Sequence, residues 1–194
     1  MSEANAFPRI ERSVRRRISG VSLLELLVVI TIGSILLSIG VPSYRSVTNS
    51  NRIAAEVNGL LGDMQYARAE AIRRGQTVTV CASTDGATCS NATTWQSGWL
   101  VFSNPNGDTT VDPGDTVLRA QAAFGGTDTF QASNGVGAVT FNREGFAIGV
   151  ANGALLTLHD ATNNSAWTRC LSITRIGLMA TQLYNVTTNG FTCL

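Results

Sequence analysis

Glu25 is the residue with the most unusual chemical setting in this sequence. It is the only ionisable side chain between Val21 and Val41, a run of mostly apolar residues. About twenty such residues are what an α-helix needs to cross a hydrocarbon layer roughly 30 Å thick, so the segment can span a membrane. A carboxylate within it costs about 2.5 to 3.5 kcal/mol on insertion scales and should have a partner. The run itself offers none.

Cleavage just before the apolar run would supply that partner. A secretory signal has its small-residue cleavage site after the apolar stretch, whereas Ser19 and Gly20 precede this one. A cut between Gly20 and Val21 creates a new α-amino group at the start of the helix. The Glu25 of a neighbouring subunit can then pair with that amino group inside the membrane. The sequence therefore predicts that the partner of Glu25 belongs to another chain.

Charge separates the first twenty residues from the rest of the chain. All fourteen basic residues are arginines, and residues 1–20 hold five of them against two glutamates, a net charge of +3. Residues 21–194 hold nine arginines against eleven acidic residues, a net charge of −2. Basic residues ahead of a first membrane helix favour a cytoplasmic N-terminus and an exported C-terminal domain. The net negative charge of residues 21–194 argues against nucleic-acid binding driven by net charge.

Four cysteines, Cys81, Cys89, Cys170 and Cys193, all follow the apolar run. Because an exported domain can keep disulfides, we expect them to be oxidised. Four cysteines allow three connectivities, and their spacing favours Cys81 with Cys89 and Cys170 with Cys193. A metal site is the weaker interpretation, because the chain has no Cys-x-x-Cys spacing and His159 is its only histidine.

The amino-terminal features resemble those of type IV prepilins and type II secretion pseudopilins. The resemblance is carried by the basic leader with Arg15 to Arg17, by Gly20, and by the stretch Val21-Ser22-Leu23-Leu24-Glu25. It implies that a prepilin peptidase in the inner membrane cleaves after Gly20 and methylates the amino group of Val21. It also implies that Glu25 guides docking into a growing filament. The alternative is a plain membrane anchor with a stray glutamate.

The helix is expected to continue beyond the apolar run. Pro42 removes a backbone hydrogen bond, so a bend is predicted there. Over residues 42–75 apolar side chains recur at steps of three and four with charged residues between them, which is typical of an amphipathic helix. These apolar positions are Ile53, Val57, Leu60, Leu61, Met64, Ala67, Ala71 and Ile72. Gly75 is expected to end the helix as its C-cap.

Beyond Gly75 the pattern changes to the period of two that is typical of strands. The clearest runs are 77–80, 99–102, 139–141, 155–158 and 170–173. The predicted fold class is therefore α+β, with a long N-terminal helix, membrane-spanning in its first half, packed on a C-terminal antiparallel β-sandwich-like domain. The predicted regions are a cleaved leader over 1–20, a transmembrane helix over 21–41, an amphipathic continuation over 42–75 and a globular periplasmic domain over 76–194.

Longer motifs narrow the resemblance to the GspH/FimT family of minor pilins and pseudopilins. They run from Gln65 to Gly75, from Val78 to Cys81, from Trp95 to Phe102 and from Phe141 to Gly145. We expect Trp95 and Trp99 to pack within the domain rather than to form a binding platform, because the second tryptophan opens an apolar strand.

A DNA-binding role is known for some FimT-like proteins, which use a glycine-arginine-x-arginine motif after the C-terminal cysteine strand. The corresponding stretch here, from Cys170 to Leu178, keeps one arginine, Arg175, displaced by one position. Arg175 together with Arg143 and Arg169 forms the candidate DNA contact. Three arginines on a net acidic chain would bind DNA weakly, because each phosphate contact is sensitive to salt.

Other sites have weaker support in the sequence. The segment from Asn104 to Asp115 is rich in oxygen ligands of the kind that calcium takes, but it lacks the spacing and final glutamate of an EF-hand, so a solvated turn is preferred. The chain has no nucleophile motif, no second histidine and no paired carboxylates. We therefore predict no enzyme activity, no catalytic residue, no cofactor and no metal, and expect His159 to lie in a loop.

The resemblance implies a structural function. The predicted protein is a minor pilin or pseudopilin, a subunit of a type IV pilus or type II secretion filament; the alternative is a DNA-binding minor pilin for natural transformation. It is expected to cross the inner membrane once, with its N-terminus in the cytoplasm and its C-terminal domain in the periplasm. The implied partners are other pilins, the prepilin peptidase and membrane lipid, with DNA as a partner only in the alternative.

Overall fold

The computed structural model describes residues 20–194. Residues 1–19 of the predicted leader, with their arginine cluster, lie outside this range. The described chain divides into two compact units, with the boundary between Ser43 and Tyr44. Helix α1, which extends over Leu23–Arg74, contributes to both units.

The first unit is the apolar part of α1. Its most apolar 18 residues have a mean hydropathy of 2.4, and the helix is long and apolar enough to cross a membrane. The hydroxyl groups of Thr31, Ser34 and Ser38 each donate a hydrogen bond of 2.7 Å to a carbonyl of the preceding turn. They therefore need no water, which suits a helix placed in lipid. The helix continues through Pro42, and the bend predicted there stays a prediction.

The second unit holds the amphipathic part of α1. Its buried apolar residues recur at alternating steps of four and three, so they form one stripe: Ile53, Val57, Leu60, Met64, Ala67 and Ala71. Ile72 was expected in this stripe, but its side chain is 51% exposed because one residue corresponds to about 100° of rotation from Ala71. Tyr44 and Val47, which precede the stripe, are also exposed.

Gly75 ends α1 as predicted. It has a φ of +66°, the left-handed conformation that glycine adopts without strain. The amide of Gln76 then donates to the carbonyl of Ala71 at 3.3 Å, as in a Schellman motif. In the last turns, hydrogen bonds from Arg73 and Arg74 lower the pKa of Glu70 to about 2.

Two antiparallel sheets follow the helix. The first has the strand order β3-β2-β1-β5-β6, with strands β1 (Val78–Ala82), β2 (Gly98–Ser103), β3 (Thr116–Ala122), β5 (Ala138–Phe141) and β6 (Ala147–Ile148). The second has the order β4-β7-β8-β9, with strands β4 (Thr129–Ala132), β7 (Ala154–His159), β8 (Arg169–Ile173) and β9 (Met179–Leu183). A short hairpin completes the chain, formed by β10 (Thr187–Thr188) and β11 (Phe191–Thr192). The predicted α+β fold is confirmed.

The main core lies between the stripe of α1 and the two sheets. Trp95 and Trp99 are buried in it, which confirms that they pack within the domain. Their indole N–H groups donate to Val136 O at 3.1 Å and to Asp63 Oδ2 at 2.9 Å. A second, smaller cluster lies apart from this core and contains Cys81, Leu100 and Phe102.

Both cysteine pairs are those favoured by their spacing. Cys81 is bonded to Cys89, and Cys170 is bonded to Cys193. The first disulfide closes a short loop. Asp85 also stabilises this loop, because its carboxylate accepts hydrogen bonds from the amides of Ala87 and Thr88. The second ties the C-terminal residues to β8, where Cys170 and Cys193 are both fully buried.

A group of charged residues connects α1 to the segment between β3 and β4. The guanidinium of Arg52 contacts both carboxylate oxygens of the buried Asp128 at 2.9 Å. Glu56, one turn further along the helix, faces the same carboxylate, and its Oε2 is buried without a hydrogen-bond donor among residues 20–194. Burial and the charge of Asp128 raise the pKa of Glu56 to about 7, although Arg52 opposes this shift. A proton on Glu56 would allow it to donate to Asp128.

This arrangement predicts that the domain loses stability as the pH rises through neutrality. The pKa of Glu56 is higher in the folded protein, about 7, than in the unfolded chain, so its contribution is complete below about pH 4.5 and is lost above pH 7. Solvent screens the partly exposed carboxyl, so we expect a change of about 1 kcal/mol. The measurement is the urea midpoint of the purified protein between pH 5 and pH 8.5. Glu56→Gln should flatten this dependence, and an equal slope in both proteins would contradict the assignment.

Candidate functional site

The amino-terminal site consists of Gly20, Val21 and Glu25. Glu25 lies in the first turn of α1, where the helix dipole favours a negative charge. Among the described residues, its carboxylate is in none of the ion pairs. A side chain at Gly20 would meet no atom within 4 Å, and its φ lies outside the left-handed region. Neither packing nor backbone conformation in residues 20–194 therefore requires glycine at this position.

The apolar side chains that follow Val21 have few contacts within their unit. Their exposure ranges from 43% at Val41 to 82% at Leu23. In water such a surface would be strongly unfavourable, at about 25 cal/mol for each Å² of apolar area. Such a surface fits a helix that is covered by lipid or by other apolar helices. This site can support anchoring and association.

A second site is built where two turns meet α1. The turn from Asn142 to Gly145 is held by the side chain of Asn142, whose Oδ1 accepts from the amides of Glu144 and Phe146. Arg68 of α1 donates through Nε to Gly145 O at 2.9 Å. This contact gives a structural role to the motif that ends at Gly145.

The turn between β8 and β9 packs against Gly145 and Arg68. The amide of Ala147 in β6 donates to Arg175 O at 2.9 Å, which fixes this turn beside the first sheet. Gly177 has a φ of +75°, and a Cβ there would lie 2.2 Å from Gly145 O and 2.8 Å from Arg68 Nε. Only glycine allows this close approach. The sequence motif included Gly145, but nothing in it identified Arg68 or Gly177 as the contacting residues.

The three candidate DNA-contacting arginines lie in different surroundings, and their contact with DNA stays a prediction. Arg143 is paired with Glu144 at 2.8 Å, and Arg175 lies on the turn after β8. Arg169 lies at the opposite end of β8, with its Nη1 donating to Ala166 O at 3.1 Å and to Thr168 O at 2.9 Å. A strand rises about 3.3 Å per residue, so β8 alone separates its ends by about 13 Å.

Arg175 lies beside an apolar cleft of about 670 Å³. Ala147 and Val150, both 3% exposed, form its buried part. Phe146, Ile148 and Ile176 line the cleft with side chains that are 46%, 39% and 54% exposed, respectively. A second cleft of about 450 Å³ shares Ala151, Arg175 and Ile176 with the first.

The oxygen-rich segment between Asn104 and Asp115 is a hydrogen-bonded turn. Asn104 is fully buried and donates through Nδ2 to the hydroxyl of Thr79 at 3.0 Å. Asp108 accepts from the amide of Thr110 at 2.9 Å, and Asp112 accepts from the side chain of Asn106 at 3.1 Å. Over residues 20–194, no group of three or more His, Cys, Asp or Glu residues is arranged to hold a metal ion.

His159 is the last residue of β7 and pairs with Thr129 of β4, so the expectation that it lies in a loop was wrong. Its Nδ1 lies 3.0 Å from the hydroxyl of Thr168. The neighbouring Asp160 is occupied elsewhere, because it accepts from the hydroxyl of Thr162 at 2.6 Å and from the amide of Asn164 at 2.8 Å. Burial raises the pKa of Asp160, but these hydrogen bonds outweigh it and the net shift is downward. Asp160 thus holds the adjoining loop and does not orient His159 as a base.

Comparisons with known proteins agree with this architecture. The family profile described as "Type II transport protein GspH" matches residues 56–177, more than half of the chain. A second profile, "Prokaryotic N-terminal methylation motif", matches residues 15–41. A comparison with curated protein sequences gives no match.

Two crystal structures of the type IV minor pilin FimU from Pseudomonas aeruginosa have a similar fold. The structure in space group P21 has a TM-score of 0.51 and 21% identity, and the alignment covers 72% of this chain and 91% of FimU. The structure in space group P65 has a TM-score of 0.47 and 19% identity, with 70% and 90% covered. The P21 likeness shows the fold, and the matched profiles show the family. The chain is therefore a type IV pilin-like protein that belongs to the GspH family.

Proposed function

We propose that this protein is a minor pilin or pseudopilin, a structural subunit of a type IV pilus or type II secretion filament. The observation that carries the proposal is the apolar first part of α1, whose single carboxylate, Glu25, has no partner in the described chain. Membrane helices rarely keep an ionisable residue without a functional reason. A filament subunit has such a reason, because a neighbouring subunit can supply the positive charge that pairs with Glu25.

Processing would create the complementary charge. Cleavage after Gly20 leaves the methylated amino group of Val21 at the start of the helix, four residues before Glu25. The amino group of one subunit and the carboxylate of the next can then neutralise each other in a medium of low dielectric constant, where their attraction is strong. The proposed orientation has the N-terminus in the cytoplasm and the β-rich domain in the periplasm, since the leader is positively charged.

The β-rich domain is suited to an oxidising compartment. It contains two disulfides, and every cysteine in residues 20–194 is bonded. Disulfides of this kind persist in the periplasm and are rare in the cytosol. The proposed partners are other pilins, the prepilin peptidase during maturation, and the lipid around the helix. No catalytic role enters this proposal, because the family is one of structural subunits.

DNA capture is the second candidate function. One observation favours it: Arg175 lines the same cleft as Phe146, an exposed aromatic side chain, and an arginine and an aromatic ring can contact a phosphate and stack on a base. Against it stand the pairing of Arg143 with Glu144 and the distance of Arg169 from this surface. One arginine without a carboxylate partner in residues 20–194 would give weak, salt-sensitive binding.

The first prediction concerns the residue before the proposed cut. Because no contact in residues 20–194 requires glycine at position 20, a bulky substitution such as Gly20→Leu should leave folding of the domain unchanged. It should block cleavage, since the peptidase must approach the backbone closely there. Immunoblots of membranes should show the full-length precursor, with Gly33→Leu as a control that is processed normally. A mature band beginning at Val21 in the Gly20 variant would place the site elsewhere.

The second prediction separates assembly from simple anchoring. In an anchor, Glu25→Ala removes an insertion cost of about 2.5 to 3.5 kcal/mol and leaves function intact. In a filament subunit the variant should insert and be cleaved, yet fail to join the filament because it lacks the charge partner. Glu25→Asp should give an intermediate result, since it keeps the charge on a shorter side chain.

The measurement is the amount of each Glu25 variant recovered with sheared filaments, normalised to its level in the membrane. Glu25→Gln is the matched control for side-chain size, and it should fail as Glu25→Ala does. Recovery of Glu25→Ala at the wild-type ratio would leave only the anchor interpretation.

The third prediction distinguishes DNA capture from a structural role. If the protein captures DNA, the purified full-length protein should retard DNA in a gel at low salt, and Arg175→Ala should weaken this retardation about tenfold. Arg169→Ala, at the far end of β8, should then have little effect. If the role is structural only, neither variant differs from the wild-type protein, and no retardation persists at 150 mM salt.

A further inference from the structure

The surface formed by Phe146, Ile148, Val150, Arg175 and Ile176, called here the Arg175 cleft, has properties that the membrane helix does not explain. Three of its apolar side chains are at least 39% exposed, although they flank residues that are almost fully buried. Exposed apolar side chains grouped in this way, next to a charged rim, mark protein interaction sites more often than isolated ones do.

The charge of Arg175 is not compensated within the described chain. Five other arginines are paired with carboxylates: Arg52, Arg73, Arg74, Arg119 and Arg143. Arg175 is in none of these pairs. Arg68, which lies beneath the neighbouring turns, donates only to the carbonyl of Gly145 among the same residues. Positive charge therefore remains beside an apolar cleft, and the complementary ligand is apolar and carries a negative charge.

The cleft is held in place by the backbone. The hydrogen bond from Ala147 N to Arg175 O joins β6 to the turn after β8, and both segments line the cleft. Gly177 cannot move away without losing its close contact with Gly145, and Arg68 fixes the turn of Gly145 to α1. A site that is already ordered loses little conformational entropy on binding, so even a modest contact area can give specific association.

We infer that the Arg175 cleft binds an apolar polypeptide segment bearing a carboxylate, supplied by a neighbouring pilin subunit in the filament. The inference rests on the proposed function, because it names a partner for the same protein in the same assembly. The apolar side chains of the segment would cover Phe146, Ile148 and Ile176, and its carboxylate would pair with Arg175. Removal of the surrounding water strengthens that ion pair and makes it selective.

The occupant is a polypeptide rather than a nucleic acid, because the cleft has few cationic and many apolar lining residues. Nucleic-acid surfaces use several cations to follow successive phosphates. The cleft of about 670 Å³ has one arginine among its lining residues, and most of the others are apolar. Such a lining matches a few apolar side chains and one carboxylate.

The experiment uses the full-length protein in cells that assemble the filament. Arg175→Glu and Ile148→Ser should each reduce recovery with sheared filaments about tenfold relative to the membrane level, as expected for a central contact. Two controls match them. Val117→Ser changes a side chain of similar exposure, 41%, on β3 at the other edge of the same sheet. Arg169→Glu reverses a charge at the far end of β8.

A photo-crosslinking amino acid at position 176 then identifies the occupant. The expected product joins this chain to a pilin subunit through a peptide that contains an aspartate or glutamate. Changing that acidic residue to arginine in the partner should restore recovery of Arg175→Glu, which a merely structural effect would not do.

Each other outcome contradicts the inference in a recognisable way. If both cleft variants join filaments as well as the wild-type protein, the cleft is not the contact. If the adduct at position 176 is removed by nuclease, the ligand is a nucleic acid. If the wild-type protein is itself absent from filaments, the proposed function fails, and the inference fails with it.

Discussion

Burial of the α1 stripe is the constraint on which the rest of the β-rich domain depends. The two sheets share no continuous strand order, and their main core is completed by the stripe from Ile53 to Ala71. Each large apolar side chain in such a stripe contributes about 1.5 to 3 kcal/mol when fully buried. An ion pair at a protein surface contributes about 0 to 1 kcal/mol. Apolar packing therefore provides the stability, and the polar contacts have a different role.

The polar contacts of α1 determine which segment of the β-rich domain packs beside which turn of the helix. Each one joins the helix to a different part of the chain, and each is directional in a way that apolar packing is not. From the beginning of the stripe to its end they are Arg52 with Asp128, Asp63 with Trp99 and Arg119, and Arg68 with Gly145. The first holds the segment before β4, the second holds the first sheet, and the third holds the turn before β6. Together they fix the position of the sheets and turns along an apolar stripe that is otherwise uniform.

The sequence predicted those parts of the fold whose apolar side chains are buried; burial alternates along β7, whereas β1 and β2 are buried at every position. The stripe of α1, β1, β2, β5, β7 and β8 all have apolar patterns, and the disulfides follow from short separations. Strand β3 was missed because nearly all of its side chains are exposed and include Arg119 and Gln121. The role of Gly177 could not be read from the chain, because its contact, Arg68, lies more than a hundred residues away. The DNA contact of the three arginines stays a prediction, and the strand predicted over residues 170–173 already places Arg169 and Arg175 at its opposite ends.

In the proposed assembly, Glu25 and Arg175 differ in the physical reason for pairing with a neighbouring subunit. In lipid an unpaired carboxylate carries a cost that does not depend on which subunit supplies the compensating charge. Pairing with a processed amino terminus is therefore available to any subunit of this kind, and it can favour assembly without selecting a neighbour. Arg175 is solvated when free, so nothing forces it to pair, and its contribution depends on the shape and charge of the segment that covers the adjoining cleft. If the protein has a defined position among other pilins, the membrane helix cannot specify that position, and surfaces of the β-rich domain must do so.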